Sequence, residues 1–287
     1  MQAADARDAF LRACRFDVET PKPGNVSVDS AGHGMTAAQF IASAEAAAGA
    51  LFARGAGVGV GVGERILAAV ERTREVAGCN TNLGIVLLCA PLATALEAHP
   101  VDAAAWRAET ERVLERLDID DARAAYRAIA LANPGGLGDA PEQSVRDEPS
   151  VDLRAAMTLA ADRDSIARQY ANGFRDIFET GLAAATSFKS PTAATLNVFL
   201  TFLTTWPDSH IVRKQGVTMA QSVTREARLR HAEWQAAAAS GTTPRLAAWD
   251  AELKARGINP GTSADLTVAT LFVAGCAVQS PRDWHGS

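Results

Sequence analysis

The six residues Ile85-Val86-Leu87-Leu88-Cys89-Ala90 are apolar without interruption, and Asn80-Thr81-Asn82-Leu83-Gly84 stands directly before them. A helix that is apolar on every face has to be buried on every face, so the rest of the chain must be wrapped around it. The polar residues at its start read as a cap, because Asn and Thr side chains satisfy N–H groups that a first turn leaves without partners. Such a helix start carries a partial positive charge and can receive a phosphate. An ordinary Asn/Thr cap on a core helix explains the same residues locally.

The remaining sequence suits a helical wrapping. It is rich in Ala, aromatics are only 6 %, and no strand-like alternation persists beyond a few residues. The expectation is an all-α fold, a single globular helical bundle of roughly a dozen helices. No linker composition divides residues 1–287, so one domain is expected, long enough to bury a sizeable core. A net charge of −5, from 28 basic and 33 acidic residues, leaves no electrostatic footprint for nucleic acid. Cys14, Cys79, Cys89 and Cys276 form no CxxC pair and read as reduced, mostly buried thiols of a cytoplasmic protein. The first residues lack the pattern of a signal peptide. Residues 76–96 and 190–207 are uncharged and long enough to be queried as membrane spans, but both contain Asn and Thr. Both are read as core helices, with no membrane partner.

Helices are expected over residues 2–17, 36–54, 64–77, 80–97, 101–116, 120–131, 151–182, 191–206, 217–239, 244–256 and 262–278, with a break near Asp162-Arg163-Asp164. Pro91 falls inside the apolar helix and should bend it. The alternating glycines from Gly55 to Gly63 are not a dinucleotide fingerprint: no window has glycines at i, i+2 and i+5, and no strand precedes them. Glu64 follows at a helix start, where a carboxylate is favoured anyway. Residues 139–150 read as the longest loop, either an active-site lid or a surface connection.

Chemistry-bearing residues gather at breaks between helices. In Pro21-Lys22-Pro23-Gly24-Asn25, two prolines stiffen the backbone around one cation. The same loop goes on to Asp29 and His33. Asp164 and Arg168 have the spacing of an ion pair, although Asp162 and Asp164 could instead share a metal. Asp208, His210, Arg213 and Lys214 fall within ten residues; a carboxylate there could take a hard cation, and the cations phosphate oxygens. Thr262 and Asp265 have capping-box spacing, while an ionised Asp265 could equally ligate a metal or act as a base.

Taken as an ordered set, several segments resemble the triphosphoribosyl-dephospho-CoA synthase family. They are Pro21-Lys22-Pro23-Gly24, Asn80-Thr81 with Gly84, Gly135-Gly136-Leu137-Gly138, Asp164 with Gln169-Tyr170, Asp208 with Arg213 and Gly216, and Gly261-Thr262-Ser263-Ala264-Asp265-Leu266. The resemblance implies an all-helical transferase. Such enzymes move the triphosphoribosyl group of ATP to a ribose hydroxyl of 3′-dephospho-CoA and release adenine. It implies ATP as substrate, Mg²⁺ as cofactor and small molecules as the only obligatory partners; a homodimer is left open. On that basis Lys22, Gly24, Asn80, Thr81, Arg213 and Lys214 are expected to bind the nucleotide, and Asp208 and Asp265 the metal. Asp265, Asp164 and Glu64 are the candidate catalytic carboxylates.

The sequence departs from that pattern in places. Asn82 and Leu83 stand where well-characterised members carry His and a basic residue, Gly34 follows His33 in place of an Asp, and Lys214-Gln215-Gly216 replaces a Gly pair. The Asn-Thr-Asn-Leu-Gly form resembles the branch of methanogenic archaea and methylotrophic bacteria. An acceptor on the way to a one-carbon carrier, a pterin or methanofuran, is therefore the alternative to dephospho-CoA. A helical nucleotide-binding subunit without activity is the third reading.

Overall fold

The apolar run becomes α4 (Leu83–Ala95), and every residue of it except Thr94 is buried. This is seen in a computed structural model that describes residues 3–53, 60–133, 147–239 and 246–277. The described residues form fourteen α-helices and no strand. Pro91 lies inside α4 and has no N–H to offer the carbonyl of Leu87, four residues before it. The Tyr170 hydroxyl donates to that carbonyl instead, at 2.7 Å. The polar group that proline orphans is thus satisfied by a side chain 83 residues away.

Beside α4 runs a second apolar helix, α14 (Gly261–Ala277). From Thr262 to Ala274 every residue is buried except Asp265. Around this pair, α1 (Ala3–Glu19) packs on α14, and α2 (Ala37–Leu51) on α1 and on α3 (Val62–Ala77). Buried alanines at 44, 47, 48 and 50 keep the α2 interface flat, which allows close approach. Against α3 lies α6 (Ile119–Ala132), and against α4 lies α5 (Ala103–Glu115). Gly63 is required at the α3–α6 crossing, since a Cβ there would lie 2.5 Å from the Asp121 backbone. Arg65 is buried at the same end; it donates to the Leu51 carbonyl at 2.6 Å and pairs with Glu97, just past the end of α4.

The region 151–182 is more broken than expected. It comprises α7 (Leu153–Thr158), α8 (Ser165–Asn172), a π-helical turn over Asp176–Gly181 and α9 (Leu182–Thr186). Asp164 caps α8, and Gly173 (φ 67°) and Phe174 (φ 56°) both adopt left-handed backbone to leave it. Next come α10 (Pro191–Thr205), α11 (Ser209–Gln215), α12 (Val217–Ala239) and α13 (Ala247–Ala255). Together they enclose a second apolar cluster around Phe199, Leu203, Trp234 and Trp249, beside the main core.

No single helix among the described residues is long and apolar enough to cross a membrane. All four cysteines are free, with Cys14 and Cys89 buried. Most of the expected loop at 139–150 and most of the glycine run lie outside the described residues.

Candidate active site

The starts of four helices meet at one place. Asp208, 2 % exposed, is the junction. Its Oδ1 accepts from the backbone N–H groups of His210 (2.9 Å) and Ile211 (3.1 Å), capping α11. Its Oδ2 accepts from the backbone N–H of Ser263 (2.7 Å) and the Ser263 hydroxyl (2.8 Å), in the first turn of α14. Ser209 Oγ in turn accepts from the backbone N–H of Ser165 at 2.8 Å, which ties α8 to α11. Asp164 caps α8 through Oδ1 and receives Arg213 Nη1 on Oδ2 at 2.6 Å. The first turn of α4 completes the group. A Cβ built on Gly84 would fall 2.1 Å from Asp265 Oδ2 and 2.8 Å from Ile166 Cδ1 of α8.

Asp265 sits in the middle of this junction. Among the described residues its carboxylate has no hydrogen-bond or ion-pair partner. Thr262 does not form the expected capping box with it; the Thr262 hydroxyl accepts from the His210 backbone N–H at 3.1 Å. Burial holds the Asp265 carboxyl well above the usual range, reinforced by the negative charges of Asp17, Asp208 and Asp164 and opposed by Arg213. Burial likewise raises the Asp208 carboxyl, against the hydrogen bonds from Ser263 and Ile211.

The Lys22 loop lies against the entry to α14. The Gly24 N–H donates to Asp250 Oδ1 at 2.8 Å, and Asn25 Nδ2 donates to Asn259 Oδ1 at 3.0 Å. Gly24 has φ 78°, and a Cβ there would meet the Ile258 carbonyl at 2.8 Å. Lys22 itself is 1 % exposed. Its ammonium donates to the carbonyls of Asp17 and Thr20 and forms an ion pair with Asp17 Oδ1 at 3.2 Å. Desolvation lowers the Lys22 pKa and raises that of Asp17.

Asn80 and Thr81 seat the start of α4. Asn80 Oδ1 accepts from the Leu83 N–H at 3.1 Å, and the Thr81 hydroxyl donates to Ser43 Oγ at 2.6 Å. Asn82 Nδ2 reaches the Ser43 carbonyl at 3.3 Å, which fixes the turn on α2. Arg213 is partly exposed beside Asp164, and Lys214 is exposed. Arg168 does not pair with Asp164; it pairs with Asp176 at 3.0 Å and lies 4.0 Å over the Trp206 ring.

Glu64 stands elsewhere. It is exposed at the start of α3, next to Arg65, which reaches Glu97 past the end of α4. The thirteen residues of α4 separate that end from Gly84 by about 20 Å. The structure thus brings Asp164, Asp208, Arg213 and Asp265 together with the Lys22–Gly24 and Asn80–Thr81 turns, and leaves Glu64 out.

Among the described residues no group of three His, Cys, Asp or Glu side chains forms a metal cage. Both Asp208 oxygens are engaged by protein donors, so Asp265 supplies the free carboxylate lone pairs. One free carboxylate is a sparse donor set, which would hold a hard cation only with further oxygens brought from outside the protein.

Two residues at this junction escaped the sequence reading. Asp17 lies in the last turn of α1, where the helix dipole disfavours an acid, and that misfit was the available signal for its buried partner Lys22. Ser263 carries no comparable signal, because its role depends on Asp208 arriving from 55 residues away.

Fold and site together define an all-helical protein with a polar centre assembled from helix starts. The CitG family profile, ATP:dephospho-CoA triphosphoribosyl transferase, matches residues 3–282, and the chain belongs to that family. A solved structure from Archaeoglobus fulgidus, assigned as a triphosphoribosyl-dephospho-CoA synthase, aligns with a TM-score of 0.65 at 25 % identity. That alignment covers 82 % of this chain and 97 % of the other. No functionally curated protein matches the chain.

Proposed function

We propose that the chain transfers the triphosphoribosyl group of ATP to a ribose hydroxyl of 3′-dephospho-CoA, with release of adenine. One observation carries this reading: an unpartnered carboxylate, Asp265, stands where the starts of α4, α8, α11 and α14 converge beside Arg213. The bond between ribose C1′ and adenine breaks and a bond from C1′ to the acceptor oxygen forms. The acceptor's proton has to leave, and adenine has to gain one. In this reading Asp265 takes the acceptor's proton, and a carboxyl raised by burial is a stronger base than an exposed one. Arg213, held by Asp164, and the exposed Lys214 supply cations for the triphosphate. Lys22, Asn80 and Thr81 act from behind, by holding the turns that frame the site. Mg²⁺ carried by the substrate's phosphates would neutralise charge on the triphosphate and leave Asp265 free to act as the base.

A second acceptor is favoured by one observation. Asn82 and Leu83 are 4 % and 8 % exposed, with Asn82 turned to the Ser43 carbonyl. Neither offers the His or basic side chain expected there for dephospho-CoA. A related acceptor in one-carbon cofactor synthesis would fit such a change. The test is adenine release from ATP and Mg²⁺ against dephospho-CoA and a panel of pterin and furan alcohols. Release with dephospho-CoA alone supports the first reading, release only with another acceptor supports the second, and release with none removes both.

A further inference from the structure

Asn259, just ahead of α14, has a side chain that the fold uses only at one end. An Asn in front of a helix ordinarily caps it. Here Pro260 intervenes: its carbonyl accepts from the Ala264 N–H at 3.2 Å, and the Ser263 N–H goes to Asp208 Oδ2 at 2.7 Å. The first turn of α14 therefore takes nothing from the Asn259 amide. Asn259 Oδ1 accepts from Asn25 Nδ2 at 3.0 Å. Asn25 is itself 6 % exposed, with its backbone N–H on the Lys22 carbonyl at 3.0 Å. An amide whose oxygen is committed in this way presents its N–H donors elsewhere. Among the described residues no acceptor meets Asn259 Nδ2.

That nitrogen borders a notch kept open by a glycine. A Cβ built on Gly261 would lie 3.7 Å from Asn259 Nδ2 and, on the other side, 3.2 Å from the His210 ring. Gly261 is not among the glycines with positive φ, so what matters there is the missing side chain and not the backbone freedom. Gly261 and Asp265 are four residues apart in α14, which puts notch and carboxylate one turn apart on one face. Arg213 and Lys214 lie about one turn beyond His210 in α11. A nucleotide with its triphosphate on those cations and its C1′ at Asp265 has only its base left to place, and the notch offers that base an N–H donor.

We propose that Asn259 Nδ2 donates to N7 of the departing adenine, and that Asn25 is the positioning residue that turns the amide this way. The proposal deepens the transferase reading and rests on it for the bond that breaks. When C1′–N9 breaks, the electron pair stays on the base, and N7 shares it as the second nitrogen of the same five-membered ring. The hydrogen bond to N7 is therefore stronger in the transition state than in the bound substrate, which is the condition for it to raise kcat. The amide keeps its own proton; adenine takes one from water, and the acceptor's proton goes to Asp265.

The test is a calorimetric titration with ATP and with 7-deaza-ATP, which carries C–H in place of N7, both with Mg²⁺ and without acceptor. It compares the parent with Asn259→Asp, Asn259→Ala and Asn25→Ala. Asn259→Asp keeps an oxygen for Asn25 and exchanges only the donor, and its added charge acts on both nucleotides alike. The parent should prefer ATP by about three- to tenfold, the worth of one hydrogen bond. The preference should fall to near one in both Asn259 variants and be reduced in Asn25→Ala, with ATP still bound. With acceptor present, kcat for adenine release should fall about 100-fold in Asn259→Asp, and release of 7-deazaadenine, already slow in the parent, should change little. No preference in the parent, an unchanged preference in a folded Asn259→Asp or Asn25→Ala protein, or no nucleotide binding at all overturns the proposal. If the preference behaves as expected but no acceptor yields adenine, the base seat stands and the transferase reading falls.

Discussion

Gly84 and Asp265 are in contact across the starts of α4 and α14: the space a Cβ on Gly84 would need is already taken, at 2.1 Å, by Asp265 Oδ2. Glycine leaves room there for the Asp265 carboxylate, and a Cβ would also meet Ile166 Cδ1 at 2.8 Å. Gly84→Ala should force the carboxylate aside at a stability cost of about 1–3 kcal/mol. A displacement near 1 Å lowers turnover about 100-fold. Adenine release and a thermal melt on the same sample check this; a folded Gly84→Ala protein with native turnover would detach Asp265 from the chemistry.

Asp265 should also destabilise the fold it serves. Its folded pKa is raised above the ordinary 3.8, chiefly by burial, so the native state binds a proton that the unfolded chain has lost. More protons bound in the native state means that stability falls as pH rises from about 4 toward the raised value. Asp265→Asn removes that dependence. The variant should therefore melt higher than the parent at neutral pH while losing activity, and the gap should close near pH 4. A variant that melts lower at pH 7 would contradict the assigned sign.

Tyr170 and Pro91 should be coupled. Tyr170→Phe leaves the Leu87 carbonyl unpaired in a buried helix, a loss of about 1–3 kcal/mol. With Pro91→Ala, residue 91 regains an N–H for that carbonyl, so Tyr170→Phe should cost less in that background. Denaturant unfolding of the four proteins measures the difference; additive losses would refute the link.

Lys22 should affect folding before it affects nucleotide binding. Its ammonium is held by the Asp17 and Thr20 carbonyls and by the Asp17 carboxylate, so Lys22→Met strands a buried Asp17 and should cost about 3–5 kcal/mol. ATP affinity, read well below the lowered melting point, should fall less than in Lys214→Ala. Glu64→Gln, at the far end of α3, should keep kcat/KM within about twofold.

The architecture was legible because it depends on local patterns. The uninterrupted apolar run and the Ala-rich periodicity specify buried helices wherever they are placed, and Thr36, Asp118 and Asp164 cap where such residues should. The site was legible only as a set of polar helix starts. Which of them meet is decided by contacts such as Asp208 with Ser263 and Ser165 with Ser209, between residues 55 and 44 apart, which no local pattern encodes. For that reason Asp164–Arg168 and Thr262–Asp265, pairs with good helical spacing, turned out to have other partners, or none. Spacing along one helix proposes a pair; the approach of a second helix decides it.

The central claim is that Asp265 is the carboxylate on which the transfer depends. The most direct measurement is adenine released per enzyme from ATP and Mg²⁺ with dephospho-CoA or the acceptor identified in the panel, comparing the parent with Asp265→Asn. The account predicts continuous adenine release by the parent and at least about a 100-fold slower rate in a fully folded variant. Equal rates in the two proteins would contradict it.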